Sequence, residues 1–291
     1  MVAFPRVQAV PIQSEGISFR VADGEVVQYS PGCDMLRPYL FPVIGPSGRM
    51  VTRMGHPHDP VTHRHHYSVW VAHHDVNGVN FWSDEPSAGK QVHRNILALE
   101  DGSDSAAAKV AVEWVTPDGT PLLAEERTYR LTDLPGDERL IDVHLRLTPK
   151  DDPVTLGPTP FGLMAVRVAK TMGVADGGGC ICSSEGAVGE EAIFWKAAAW
   201  CDYSGPIAPT EWNGITFLSH PGNHNHPPDW HVREDGWMGA CLSREGPVPL
   251  APSQVIELRY GLYVHHGSAS EADVAGAYSA FAASESRPCE R

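Results

Sequence analysis

Seven histidines fall within nineteen residues: His56, His58, His63, His65, His66, His73 and His74. The densest part, HRHHYSVWVAHHDVNGVNFW, runs from His63 to Trp82. Imidazole, with an unperturbed pKa of about 6.5, takes and gives protons near neutrality, and in its neutral form it ligates transition metals. On a strand, His63, His65 and Tyr67 point to one side while His66, Ser68 and Trp70 point to the other. A His-x-His pair in that setting brings two rings to one point, as in cupin-type metal centres. His63 and His65 are therefore candidate ligands for a divalent transition metal. No Glu follows His58 or His65 at cupin spacing, and the first acid after His65 is Asp75, so further ligands would have to come from distant residues. Metal ligation, proton transfer and substrate binding all stay open on these residues alone.

A second group is SHPGNHNHPPDWHVR, from Ser219 to Arg233. Its three prolines forbid a regular ladder, so it reads as a loop. Loops that gather His, Asn, Trp and Arg are ligand-contacting surfaces, and aromatic rings beside polar groups suit a sugar. The candidates here are His220, Asn223, Trp230, His231 and Arg233. His265 and His266 follow an apolar strand and emerge at its end, and His93 stands alone. Of the pair Glu125-Glu126 on a probable strand, one side chain is expected inside and one in water, which fits an ion pair better than an acid/base couple. Trp200, Trp212, Trp230 and Trp237 read mainly as core. No nucleophile elbow, Walker motif or dinucleotide fingerprint occurs, and the glycine-rich run 173–189 lacks the strand–helix setting of a phosphate cradle.

These groups need a rigid frame, and the chain has the material for one. Of 291 residues 42% are hydrophobic and 20% charged, which suits a globular core. The formal net charge of -14 argues against nucleic acid, whose phosphates are bound by Lys and Arg, and leaves a small molecule as the expected partner. No basic start with an apolar run opens the sequence, and no window reaches the roughly 18 apolar residues of a membrane span. The six cysteines, with only a Cys-x-Cys pair at 180 and 182, read as mostly buried reduced thiols in a cytoplasmic protein. The 28 glycines and 25 prolines leave little room for long helices. Short segments at 110–115, 124–131, 140–147, 163–168, 214–218 and 255–264 read as strands, joined by turn chemistry such as Thr-Pro-Asp-Gly. In 140–147 the alternation puts Ile141, Val143, Leu145 and Leu147 on one face. One helix is expected over 270–282, capped by Ser268 or Ser270. The pattern is all-β with a minor helix: a large sandwich or barrel forming a single domain over 1–285, with a tail at 286–291.

The order of several motifs adds a family resemblance. HHYSVWVAHHDVNGVNFW resembles the pattern H-x-H-H-R-[GS]-L-W-x-A-x-x-D-V-N-G-x-D-F-W of a soluble family that carries the label methane oxygenase PmoA. FGLMAVRV at 161–168, AWCDYSG at 199–205, GITFLSHPGN at 214–223, WHVR at 230–233 and YVHHG at 263–267 match in the same order, from about residue 25 to 285. The resemblance implies a soluble β-sandwich similar to the galactose-mutarotase-like supersandwich, not the membrane subunit of methane monooxygenase that shares the label. It further implies a setting among sugar oxidoreductases and isomerases, and the cleavage of glycosides oxidised to keto sugars. The matching positions are His63, His65, His66, Asn77, Arg167, His220, Asn223, His231, Arg233 and His265. The chain departs from the pattern at Tyr67 (Arg in the family), Phe161 (Glu), Asn80 (Asp) and Thr62 (Asp). The pocket it implies is less charged and more aromatic, suited to a less polar substrate.

The resulting expectation is a lyase- or hydrolase-type enzyme acting on a sugar or sugar-derived molecule. His65, His66, His220, His231 and Arg167 would be catalytic, and Tyr67, Asn77, Phe161, Asn223, Trp230, Arg233 and His265 would bind substrate. The alternatives are a metal-dependent cupin-like oxygenase or isomerase, a natural-product cyclase and a non-catalytic carbohydrate-binding module.

Overall fold

A computed structural model of the chain describes residues 4–55, 59, 63–285 and 289. Its strands begin with β1 (Val7–Ile12), β2 (Gly16–Val21), β3 (Gly24–Ser30), β4 (Tyr39–Val43) and β5 (Val69–His73). Long strands follow: β6 (Lys90–Glu100), β7 (Ser105–Val115), β8 (Pro121–Asp133) and β9 (Arg139–Pro149). Then come β10 (Val154–Leu156), β11 (Gly162–Arg167), β12 (Cys180–Ser183), β13 (Trp200–Ala208) and β14 (Glu211–Ser219). The series closes with β15 (Trp230–Arg233), β16 (Trp237–Cys241), β17 (Val248–Leu250) and β18 (Ile256–His266). The helices are α1 (Val174–Gly177), α2 (Glu190–Ile193) and α3 (Val274–Ala283).

Two eight-stranded antiparallel sheets carry the fold. The first has the order β1-β2-β3-β4-β5-β11-β16-β15, the second β12-β13-β14-β18-β9-β8-β7-β6, and β10 pairs with β17 apart from both. One buried cluster joins side chains of both, among them Val69, Met164 and Met238 from the first and Val110, Val143 and Leu262 from the second. The protein is thus an all-β sandwich. Strand β9 shows the mechanism: its residues alternate between buried and half-buried, with Ile141, Val143, Leu145 and Leu147 inward as the period of two requires.

Each strand segment read from the sequence falls on an observed strand, with Val168 and Val255 one residue outside theirs, and Glu125 points inward while Glu126 reaches the surface. Four expectations need correction. Residues 63–66 form a turn, with the His66 amide donating to the His63 carbonyl at 3.3 Å, and the strand starts only at Val69 because Ser68 has φ 57. The loop 219–233 ends earlier than expected, since Trp230–Arg233 forms strand β15 on an edge its prolines do not reach. Helix α3 starts at Val274 with Asp273 as its cap, because Ser268 is engaged by Glu271 in a preceding turn. The glycine-rich run contains α1 and strand β12. Of the expected tail 286–291, only Cys289 lies among the described residues, buried against Ala98 and Ala107. All six cysteines are free; Cys201, Cys241 and Cys289 are buried and Cys33 is exposed. Among the described residues no helix is long and apolar enough to cross a membrane.

Candidate functional site

Antiparallel strands usually bury one face and wet the other. Strands β5, β11 and β16 are buried at every residue, so both faces of the first sheet are covered there. Val69, Val71, Met164, Val166, Met238 and Ala240 fill the core between the sheets. Their neighbours Trp70, Ala72, Ala165 and Trp237 point outward and form a second buried cluster with Tyr67 and Trp82. The register sets Ala165 between Trp70 and Gly239, Arg167 opposite Trp237, and His231 opposite Gly239. Ala72, Ala165 and Gly239 thus make a floor of small residues. Larger rings stand around it as a box.

The cover of the box is the histidine turn. Gly55 passes so close to Arg64 that a Cβ there would lie 2.1 Å from the Arg64 carbonyl oxygen, so only glycine fits. The Ser68 hydroxyl donates to Thr52 Oγ1 at 2.7 Å, and the Arg167 amide donates to the Ser68 carbonyl at 2.6 Å. Buried Arg37 joins the two covering loops, donating to the carbonyls of His65 (3.1 Å) and Ser83 (2.7 Å). Asn80 Oδ1 accepts from the amides of Trp82 (2.8 Å) and Ser83 (3.1 Å) and so fixes the loop that carries Trp82. The His66 ring then lies on Trp70 (4.9 Å, 18°) and beside Trp237 (4.8 Å). Trp82 closes the wall towards Phe161 (5.7 Å), and His231 fills the space between Phe161 (5.2 Å) and Trp237 (4.4 Å).

Charge enters from one side. Arg167 Nη1 lies 3.3 Å from His66 Nδ1 and 3.5 Å from Asp235 Oδ1. A guanidinium only donates, so His66 Nδ1 accepts and its proton sits on Nε2. His63 Nδ1 is 2.6 Å from Asp235 Oδ2, and Arg53 grips Asp59 at 2.6 and 3.1 Å nearby. Burial, helped by the charges of Arg37 and Arg167, pushes His65 down to about 3; burial and neighbouring His65 hold His66 well below the usual range. Burial pushes His231 down to about 4 and Arg37 down to about 10. Burial would raise Asp235, but the His63 contact and the Arg167 charge prevail and hold it low. At neutral pH the site therefore has neutral imidazoles at His65, His66 and His231 beside cationic arginines and an ionised Asp235.

Among the buried polar atoms of the site without a hydrogen-bond partner in the described residues are His65 Nε2, Trp70 Nε1, Arg167 Nε, His231 Nδ1, Trp237 Nε1 and, in the cover, Arg37 Nε. Buried donors and acceptors are nearly always satisfied, so a cluster of open ones needs a reason.

The described residues do not fit the expected metal pair. The rings of His63 and His65 each pack on His66, at 4.9 and 4.7 Å, and their Nδ1 atoms face different carboxylates, Asp235 and Asp84. No group of three His, Cys, Asp or Glu among the described residues is arranged to hold an ion. His56 and His58 lie outside the described residues.

The candidates named from sequence divide cleanly. His63, His65, His66, Tyr67, Phe161, Arg167 and His231 meet in the box, with Tyr67 under the Arg37 guanidinium (5.1 Å). Arg233 stands at its rim, paired with Glu190 and lying over Phe194. The other five lie elsewhere. His220 packs on Phe281 of α3, and Asn223 clamps the backbone of Arg259 through both amide atoms. Asn77 bridges its turn to Pro153 and Thr155. Trp230 is core, its indole donating to the Ala198 carbonyl. His265 is fully buried on Asp202, whose charge overcomes burial and raises its pKa. Sequence reasoning missed Trp82, Arg37 and Asp235 and took Trp237 for core. The available signal was the run EDGW, which sets an acid and a tryptophan two residues apart across a tight turn.

Fold and site together define an all-β sandwich protein with a histidine–tryptophan box on the outer face of one sheet. The chain belongs to a family of unknown function, DUF6807, whose model matches residues 16–279. No curated protein matches it. Among solved structures it is similar to heparan sulfate lyase HepC from Pedobacter heparinus, at 9% identity and a TM-score of 0.44 over 92% of this chain and 38% of that one. A mutant of the same lyase aligns at 10% identity and a TM-score of 0.40, over 87% and 35% of the two chains. The chain therefore spans well under half the length of the structures it matches.

Proposed function

We propose that the protein is an enzyme of lyase or hydrolase type that cleaves a carbon–oxygen bond in a sugar or sugar-derived molecule, with the box as its active site. The observation that carries this reading is the set of unpartnered polar atoms held among three buried tryptophans. Indole faces stack on the apolar faces of a sugar ring, and free indole N–H groups donate to its hydroxyls. The similarity to the PmoA-labelled family supports the same class and points to oxidised glycosides.

In an oxidised glycoside the proton beside the ring ketone is acidic enough for an imidazole base. His63, with Nδ1 turned to Asp235, presents Nε2 as that base. Removal of the proton breaks the C–H bond and moves its electron pair into an enolate, whose oxygen meets the cationic Arg167. Collapse of the enolate expels the glycosidic oxygen from the neighbouring carbon, and the His66 Nε2–H or the new His63 imidazolium protonates it. The products are an unsaturated ketone and a free alcohol, and addition of water to the first completes a hydrolysis. His65 and His231, neutral and buried, hold substrate hydroxyls. The test is release of nitrophenol from nitrophenyl keto-glycosides and from their unoxidised parents. Turnover of the keto form, lost in Arg167→Met and His63→Ala while their folds survive, is expected. Equal turnover in these variants would remove both residues from the mechanism.

A further inference from the structure

The outer face of β15 and β16 does not stop at the box. Asp229, immediately before β15, shares the outward phase of His231 and Arg233, and the Cys241 amide donates to its carbonyl at 3.0 Å, so Cys241 continues the row beyond Gly239. There the surface opens into a cleft of about 520 Å3, lined among others by His224, Asn225, Asp229, Cys241 and Arg244. Ligand pockets fall in this size range.

Phe194 and Trp195 stand at the junction. Their rings stack at 4.6 Å, Phe194 is 5.0 Å and Trp195 6.4 Å from His231, and the Arg244 guanidinium is 5.5 Å from the Trp195 ring. Arg244 is itself held by Asp229 at 2.8 Å. Trp195 is 43% exposed and its backbone has φ 57, a conformation that bulky residues rarely adopt. The Trp195 amide donates to the Trp230 carbonyl at 2.8 Å and so ties it there. Core packing does not explain an exposed tryptophan in a strained conformation, and such outliers gather at ligand clamps.

We infer that this cleft is a second subsite of the same site and takes a second hydroxylated ring. The ligand is then a disaccharide-sized or larger glycoside, with one unit in the box and the next against Trp195, Arg244 and Asp229. The polar lining favours a hydroxylated ring over a flat apolar aglycone. This inference rests on the sugar reading of the box.

Calorimetric titration of the whole protein tests it, with methyl glucoside as the one-ring probe and cellobiose, maltose and lactose as two-ring probes. At least one disaccharide is expected to bind about tenfold more tightly than the monosaccharide, the factor one stacked ring supplies. Trp195→Ala should abolish that advantage and leave monosaccharide affinity within about twofold, while Trp237→Phe weakens both classes. Arg244→Ala should reproduce part of the Trp195 effect. If the monosaccharide binds and responds to Trp237→Phe but no disaccharide gains, the subsite is overturned and the reading of the box stands. If Trp195→Ala weakens both classes equally, the subsite is likewise overturned. If no sugar binds, the subsite is overturned, and turnover of the keto-glycosides decides the reading of the box on its own.

Discussion

Two parts of this sandwich gather arginine, carboxylate and tryptophan together, and they treat their polar atoms in opposite ways. In the core between the sheets, Arg127 donates to both oxygens of Glu125 (2.6 and 2.8 Å), to Tyr129 (3.2 Å) and to Gln91 (3.1 Å). The Trp114 indole donates to the same carboxylate at 2.7 Å. None of these side chains has an open polar atom. On the outer face, Arg167, His65, His231, Trp70 and Trp237 each keep one. Every group of this network is satisfied, which avoids the desolvation cost that each open buried group carries. The box carries that cost without a partner from the protein, as a preorganised ligand site does.

The sharpest way to break this contrast is to remove one partner from the saturated network. Arg127→Leu leaves the Glu125 carboxylate buried alone and should cost about 3–5 kcal/mol in denaturant unfolding. The double change Arg127→Leu with Glu125→Leu should recover most of it. A cost under about 1 kcal/mol for the single variant would mean that the network does not hold the core.

Acid separates the regions next. His65 is pushed down to about 3 and His231 to about 4, against 6.5 for an imidazole in the unfolded chain. Between those values the unfolded chain binds more protons, so stability is complete above pH 6.5 and falls as pH drops from there towards 4. The slope is about 1.4 kcal/mol per pH unit for each such imidazole. His231→Asn should remove about one proton from the slope, and an unchanged slope would contradict the buried neutral state. His265 runs the other way: its raised pKa gives stability present below 6.5 and lost as pH rises through its folded value.

The smallest effect compares two equal truncations. Trp114→Phe removes a donor to a buried carboxylate, whereas Trp70→Phe removes a donor that has no partner among the described residues. The first should cost about 1–3 kcal/mol more than the second. Equal losses would mean that the Trp70 indole is satisfied in the folded protein.

Much of this architecture is readable from residues, for identifiable reasons. Period-two alternation marked β9, and turn signals bounded β7 and β8 beside it, because the second face of these strands is wet and polar residues mark it. The box lies on β5, β11 and β16, where VWVAH, GLMAVR and WMGAC are apolar on both faces, so periodicity shows a buried strand but not what buries it. The histidine run correctly marked the cover, yet its geometry is a turn set by Ser68 and Gly55, which no alternation rule anticipates. His220 and Asn223 fit the resemblance as His231 does, through a neighbouring motif, and still serve the packing around Arg259 and α3, because motif order carries no information on which sheet face a residue meets. Asp235 and Trp237 entered through strand register, which pairs Arg167 with Trp237 across 70 residues of chain.

The most direct test of the open-donor account is an amide-and-indole NMR titration of the protein with a methyl keto-glycoside, following its eight tryptophans. The indole N–H signals of Trp70 and Trp237 should shift saturably, while those of Trp114 and Trp230, committed to Glu125 and the Ala198 carbonyl, stay in place. Signals of Trp70 and Trp237 that stay fixed throughout, or shifts confined to Trp114 and Trp230, would contradict the claim that the box is the ligand site.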